Sequence, residues 1–234
     1  MMWTREQLKA NAKSSLSRFH WTAVLVCLIV VLLGGAGSSG LNFNLNLNDG
    51  SSWIRWAIPT FAAICATSTL VGILVGNVAA VGSARFFLIG RERIPTTEIM
   101  FDPFRANYGG ILLVMFLRGL FTALWSLLLV VPGIVKGYAW RLVPYLLAEN
   151  PNLDYRRALD LSAAMMDGHK MDVFVLDLSF FGWNLLSAAT AGILGVLYVN
   201  PYVAATNAEL YVALRTNAFA AGITGPEELP GVGV

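Results

Sequence analysis

Charge is what this sequence has least of. Charged residues make up 13% of 234 positions, against 56% hydrophobic residues. Between Arg55 and Arg85 no charged side chain occurs, and between Asp177 and Glu209 there is again none. Each interval exceeds the roughly 20 apolar residues a helix needs to cross about 30 Å of hydrocarbon. The scarcity therefore argues against a water-soluble domain and predicts a polytopic membrane protein. Cysteine is equally sparse. Cys27 and Cys65 both fall in apolar stretches and read as buried small hydrophobes rather than a disulfide.

Other absences narrow the function. Two histidines and no Cys/His run with zinc-like spacing leave no metal site to expect, and no other cofactor is expected. No G-x-S-x-G elbow, H-E-x-x-H pair or P-loop is present, so nothing argues for an enzyme and no catalytic residue is assigned. Asp167, His169, Lys170 and Asp172 form the one polar cluster with a histidine, and read as a helix stop with interfacial anchors. A net charge of +2 is too small to argue for nucleic acid.

What remains is an all-α pattern: a helical bundle in the membrane with about six spans and two interfacial amphipathic helices. Residues 4–18 form the first of these. Thr4 with Gln7 fits a capping box, and Trp3 with Leu8 fits the flanking hydrophobic staple. Leu8, Ala12 and Leu16 share one face beside a basic row of Arg5, Lys9 and Lys13, which suits the plane of an anionic lipid surface. The apolar run and glycine-rich stretch that follow imitate a secretory signal, but the long helix-patterned start favours an uncleaved first span.

Spans are expected at about 21–39, 56–84, 109–131, 134–148, 173–190 and 193–214. The alternating Asn-rich stretch 41–48 and the turn at Asn48-Asp49-Gly50 predict a short external loop, with Trp53 and Trp56 at the interface. Residues 154–167 read as a cytoplasmic surface helix capped by Asp154 and ended by Gly168, with Ala158, Leu159, Ser162, Met165 and Met166 on one face. Residues 222–234 read as a flexible tail. Basic residues from Arg5 to Arg18, Arg85 to Arg105, Arg156 to Lys170, and Arg215 fall on one side, with Arg55 alone opposite. The positive-inside rule then places both termini in the cytoplasm of a bacterial inner membrane.

The candidate functional residues are the charges left inside the spans. Arg118 lies about nine residues beyond Gly109, some 14 Å deep at roughly 1.5 Å per residue. Arg141 falls near the middle of the fourth span, Lys136 toward its outer end, and Asp177 in the fifth. One reading is an internal ion pair, Arg141 or Arg118 with Asp177, holding helices in register. Another takes three cations against one acid as an anion-attracting cavity. Lys136 can also snorkel to an interface. Pro132, Gly133 and Pro144 mark a turn plus a kink, or a broken helix of the kind transporters use.

Leu124 to Ser126, Val131 to Tyr138, Pro144 to Pro151, Gly168 to Lys170, Phe180 to Trp183 and Asn200 to Tyr202 occur in an order that resembles the membrane family known as domain of unknown function 975. Trp3 to Lys9 is similar too. The resemblance implies a bacterial multi-spanning membrane protein and supplies no activity. The leading expectation is a non-enzymatic membrane interaction or regulatory component, with the lipid bilayer, a protein partner or a second copy as partner. The alternatives are a small transporter or channel for an anionic or polar solute, and a lipid-binding protein.

Overall fold

The computed structural model describes residues 3–32, 60, 63, 71–190 and 192–232. The expected external loop, Arg55, Trp53, Trp56 and Cys65 lie outside these residues, as do parts of the first two expected spans. Among the described residues every regular element is helical, and none is a strand.

Helix α1 (Arg5–Leu32) opens on the expected capping box: the Gln7 backbone N–H donates to Thr4 Oγ1, and the Thr4 N–H to Gln7 Oε1. It kinks at Phe19, whose φ of −141° is not helical. The Phe19 ring meets Phe86 edge-on at 5.6 Å and presses on Gly90, where any Cβ would collide with it. Leu8, Ala12 and Leu16 are 3, 0 and 4% exposed, so the face expected to lie on lipid is covered by the chain's own helices. Helix α1 packs chiefly on α10 (Asn200–Ala220).

A π-helical turn, Gly72–Gly76, leads into α2 (Asn77–Gly90). Ten of its residues are buried, which fits an apolar sequence with no polar face. A 3-10 turn (Thr97–Phe101) and the short α3 (Asp102–Ala106) follow. The backbone of Met100 lies directly over Gly82, which only glycine permits.

Helix α4 (Tyr108–Leu128) is capped by Asn107, whose side chain accepts from the Gly110 N–H. It stops at Leu129, in extended conformation, and α5 (Val130–Ala139) begins at once. The turn therefore falls three residues before the expected Pro132-Gly133. Proline lacks the N–H and crowds the preceding turn, so α4 cannot run through Pro132; in the first turn of a new helix that N–H is not needed. Gly133 instead brings α5 against Ser126 of α4, where a Cβ would strike the serine.

The expected span 134–148 is two helices, α5 and α6 (Val143–Glu149). Pro144 sits in the first turn of α6, so it starts a helix rather than kinking one. Ser162 of α7 (Tyr155–Met165) bridges the break: its hydroxyl donates to Ala139 O at 2.7 Å and accepts from the Leu142 N–H at 3.2 Å. The α7 face named from sequence is buried throughout, and Gly168 takes a left-handed φ of 75° in the turn beyond. Helices α8 (Lys170–Leu178) and α9 (Phe181–Ala189) are offset by a step at Ser179–Phe180, and a second π turn (Gly195–Val199) precedes α10.

Among the described residues three stretches are long and apolar enough to cross a membrane: Gly72–Gly90, Tyr108–Leu128 and Lys170–Ala189. They answer to three of the six expected spans. The stretch 134–148 is too interrupted to count, and Glu209 and Arg215 dilute α10.

Residues 222–232 are docked rather than the flexible tail expected. Leu229 is buried, Arg157 grips Glu228 with two 2.7 Å hydrogen bonds, and Asn150 donates to the Glu228 carbonyl. The guanidinium of Arg157 holds the Glu228 carboxyl below the usual carboxylate range. Neighbouring helices are joined by Arg91 with Glu209, Arg215 with Glu149, and Arg85 with Asp102 and the Ala148 carbonyl. Arg18 adds a hydrogen bond to the Arg91 carbonyl.

Candidate functional site

Asp177, in the last turn of α8, is the centre of the polar interior. Arg141 donates to both its carboxylate oxygens, Nη1 to Oδ2 at 2.5 Å and Nη2 to Oδ1 at 2.8 Å. This is the forked geometry a guanidinium offers and an ammonium does not. The Tyr138 hydroxyl donates to Oδ2 at 2.9 Å, and Asn207 Oδ1 accepts from Arg141 Nη2 at 2.9 Å. The guanidinium plane also lies 5.7 Å from the Tyr138 ring. Four elements meet here: the α5–α6 break carries Arg141, and α5, α8 and α10 bring Tyr138, Asp177 and Asn207.

The break makes this possible. Residues 140–142 are turns, so Arg141 can leave the helical register and face α8. The side chains of Arg141 and Asp177 are 20 and 30% exposed, so the pair is shielded but not sealed.

Cavities lie on both sides of Asp177. One, of about 610 Å³, is lined by Asp177, Asn184, Asn200, Asn207, Tyr145 and Ser83, with apolar wall from Cys27 and Val30. The other is a groove of about 430 Å³ between α4 and α5, reached by Arg118, Thr122, Ser126, Tyr138, Arg141 and Asp177. Volumes of this order accept small molecules.

Of the residues named from sequence, Arg141 and Asp177 are joined, and Arg118 stands beside them on α4, its guanidinium without a hydrogen bond or ion pair among the described residues. Lys136 is not brought to the groove. Its ammonium lies 5.7 Å from the Trp125 ring and 5.5 Å from the Trp140 ring, a cation–π clamp between α4 and α5. Pro132, Gly133 and Pro144 shape the hairpin and the break rather than offering ligands, although Gly133 and Gly137 form one wall of the groove.

Sequence reasoning passed over Asn184, Asn200, Asn207 and Tyr138. A signal was present: Asn200 and Asn207 are seven apart in a stretch without charge, on one helical face with Val203 and Ala204. Amides in such a stretch need partners as ions do, only less urgently.

The family described as "Protein of unknown function (DUF975)" matches residues 114–218. No curated protein matches the chain, and no solved structure matches it. The matched stretch begins within α4 and ends in α10, so α1 and α2 lie outside it. Arg118, Lys136, Arg141, Asp177 and Asn207 all lie within the stretch that is similar to this family.

Proposed function

We propose that the chain is a bacterial inner-membrane protein that binds a small polar or anionic solute within its helical bundle. Asp177, shared by the two cavities, carries the reading: one hydrogen-bonded carboxylate borders both a mixed apolar and amide-lined chamber and a groove lined by two arginines. A solute in either cavity would touch the same carboxylate, and in the groove Arg141 as well. No reaction is assigned to the site.

The membrane setting is supported by the outer surface. Leu113, Phe116, Leu120, Leu124, Leu127 and Leu128 of α4 are exposed, and so are Phe181, Leu185 and Leu186 of α9. Exposed apolar side chains in that number on each helix are unfavourable in water and neutral in hydrocarbon. Six crossings remain part of the proposal, with α1, α5–α6 and α10 supplying those beyond the three apolar helices. The ion pairs of Arg85, Arg91, Arg157 and Arg215, with Arg18 hydrogen-bonded beside them, mark the cytoplasmic face in this reading.

The interaction or regulatory reading has a narrower basis. The apolar faces of α1 and α7, on which a partner or a lipid surface would dock, are occupied by the chain's own helices. Anionic lipid retains a smaller claim at Arg93 and Arg105, both exposed.

Filling the larger chamber tests the proposal. Ala204 lines it, so Ala204→Phe should displace a bound solute while leaving the Arg141–Asp177 pair intact. Protein purified in nanodiscs and equilibrated with a cell extract should retain a solute that mass spectrometry detects and that A204F lacks. Identical retention profiles would contradict the reading.

A further inference from the structure

We infer that the groove beside Arg118 is a binding site for a small oxyanion, a carboxylate or a phosphate, with Arg118 as its principal donor. The inference rests on the proposed solute-binding reading and gives its ligand a charge. Two guanidiniums, Arg118 and Arg141, face a groove with a single carboxylate, Asp177, so one positive charge is left over. Arg141 is spent: it forks onto Asp177 and reaches Asn207. Arg118 has five N–H donors and no partner among the described residues.

The surroundings suit an anion. Thr122 and Ser126 stand one and two turns along the same face of α4, their hydroxyls resting on backbone carbonyls at 2.8 Å. Those bonds are local, so either hydroxyl can rotate and donate to a ligand. Across the groove Gly137 presents no side chain, and a Cβ there would meet only Thr122 Cγ2 at 3.8 Å. The missing side chain leaves about a methyl's room at that point of the groove, whose volume is about 430 Å³.

The protein already shows how it holds a carboxylate in this setting, since Asp177 takes a guanidinium fork and a phenol hydroxyl. A ligand carboxylate on Arg118 would reproduce the first half of that arrangement. Asp177 would then act as a built-in competitor, keeping the second arginine from the ligand.

Thermal unfolding of the full chain in phosphatidylcholine nanodiscs, with sodium acetate, inorganic phosphate or neutral glycerol, tests this. Acetate or phosphate should raise the midpoint saturably, as a ligand specific to the folded state must, and glycerol should not do so through Arg118. Arg118→Gln should weaken the anion affinity about tenfold or more, while Arg118→Lys should retain part of it. Asp177→Asn should tighten it, because both arginines become available. Anion dependence unchanged in R118Q would overturn the inference, whether or not D177N folds.

Nanodiscs containing phosphatidylglycerol separate the sources of the oxyanion. If only the anionic lipid shifts the midpoint, and R118Q abolishes that shift, the ligand is a lipid phosphate. If no anion and no anionic lipid shifts the parent while A204F still loses a retained solute, the Arg118 site fails and the chamber stands. Failure of both removes the solute reading itself.

Discussion

Arg141 and Asp177 show how a charged pair is held in a partly shielded interior. A lone cation at the centre of a membrane helix costs roughly 2.5–3.5 kcal/mol on insertion scales. The fork, the tyrosine hydroxyl and the asparagine amide give this pair hydrogen bonds in place of water. Removing one partner strands the other. Arg141→Gln or Asp177→Asn should each destabilise the fold by about 1–3 kcal/mol, below the cost for fully buried pairs because the side chains keep some exposure. The double variant should cost less than the two single losses combined, as a chemical-denaturation cycle in detergent can measure. Additive losses would show that the two side chains do not act as a unit. The scarcity of charge made both residues legible in the sequence. The choice of Arg141 over Arg118 was not legible, because it depends on a helix break that frees one arginine from its register.

At the scale of elements, proline and glycine were read as breaks, and their work proved finer than that. Pro132 ends α4 three residues ahead of itself, Pro144 opens α6, and Ser162 from a distant helix closes the gap between α5 and α6. No local pattern announces that last contact. Gly82 is held by the main chain of Met100, which cannot yield as a flexible side chain would. Gly82→Ala should therefore cost about 1–3 kcal/mol, a typical overpacking penalty, whereas Gly119→Ala, with open space around it, should be neutral or stabilising. Equal midpoints for the two variants would contradict the close approach of the 3-10 turn to α2.

The carboxyl segment gives an acid-dependent element. The Glu228 carboxyl lies below its usual range because Arg157 hydrogen-bonds its charged form, so that contribution is present at neutral pH. It is lost as the pH falls through the lowered value and the carboxylate takes up a proton. Amide exchange at residues 223–232 should accelerate on acidification through that range, and Glu228→Gln should be fast already at neutral pH. Exchange independent of both would separate the docking from the ion pair. The sequence suggested a free end here because glycine and proline dominate it. Docking depends on Glu228 meeting Arg157 and Asn150 and on the burial of Leu229, which composition does not reveal.

For the whole molecule, the absence of charge and the exposure of apolar side chains tell one story from two directions. The long uncharged intervals led to helices, and two of the three long apolar helices present most of their side chains outward. Three of the expected spans were legible as helices long and apolar enough to cross a membrane. The rest were blurred because helices that pack on one another carry polar residues toward the interior, as α10 does with Asn200, Asn207 and Glu209. The two amphipathic helices were found, but not what covers them, since an apolar stripe reads the same against lipid as against protein.

Hydrocarbon around α4 and α9 is the claim on which the rest stands, and spin-label accessibility tests it directly. Nitroxides attached after Leu120→Cys and Leu185→Cys, in a Cys27→Ala/Cys65→Ala background and reconstituted in liposomes, should collide freely with oxygen and scarcely with a water-soluble nickel chelate. A label after Thr224→Cys should show the reverse. Ready nickel access at 120 and 185 would mean that water, not lipid, bathes these helices.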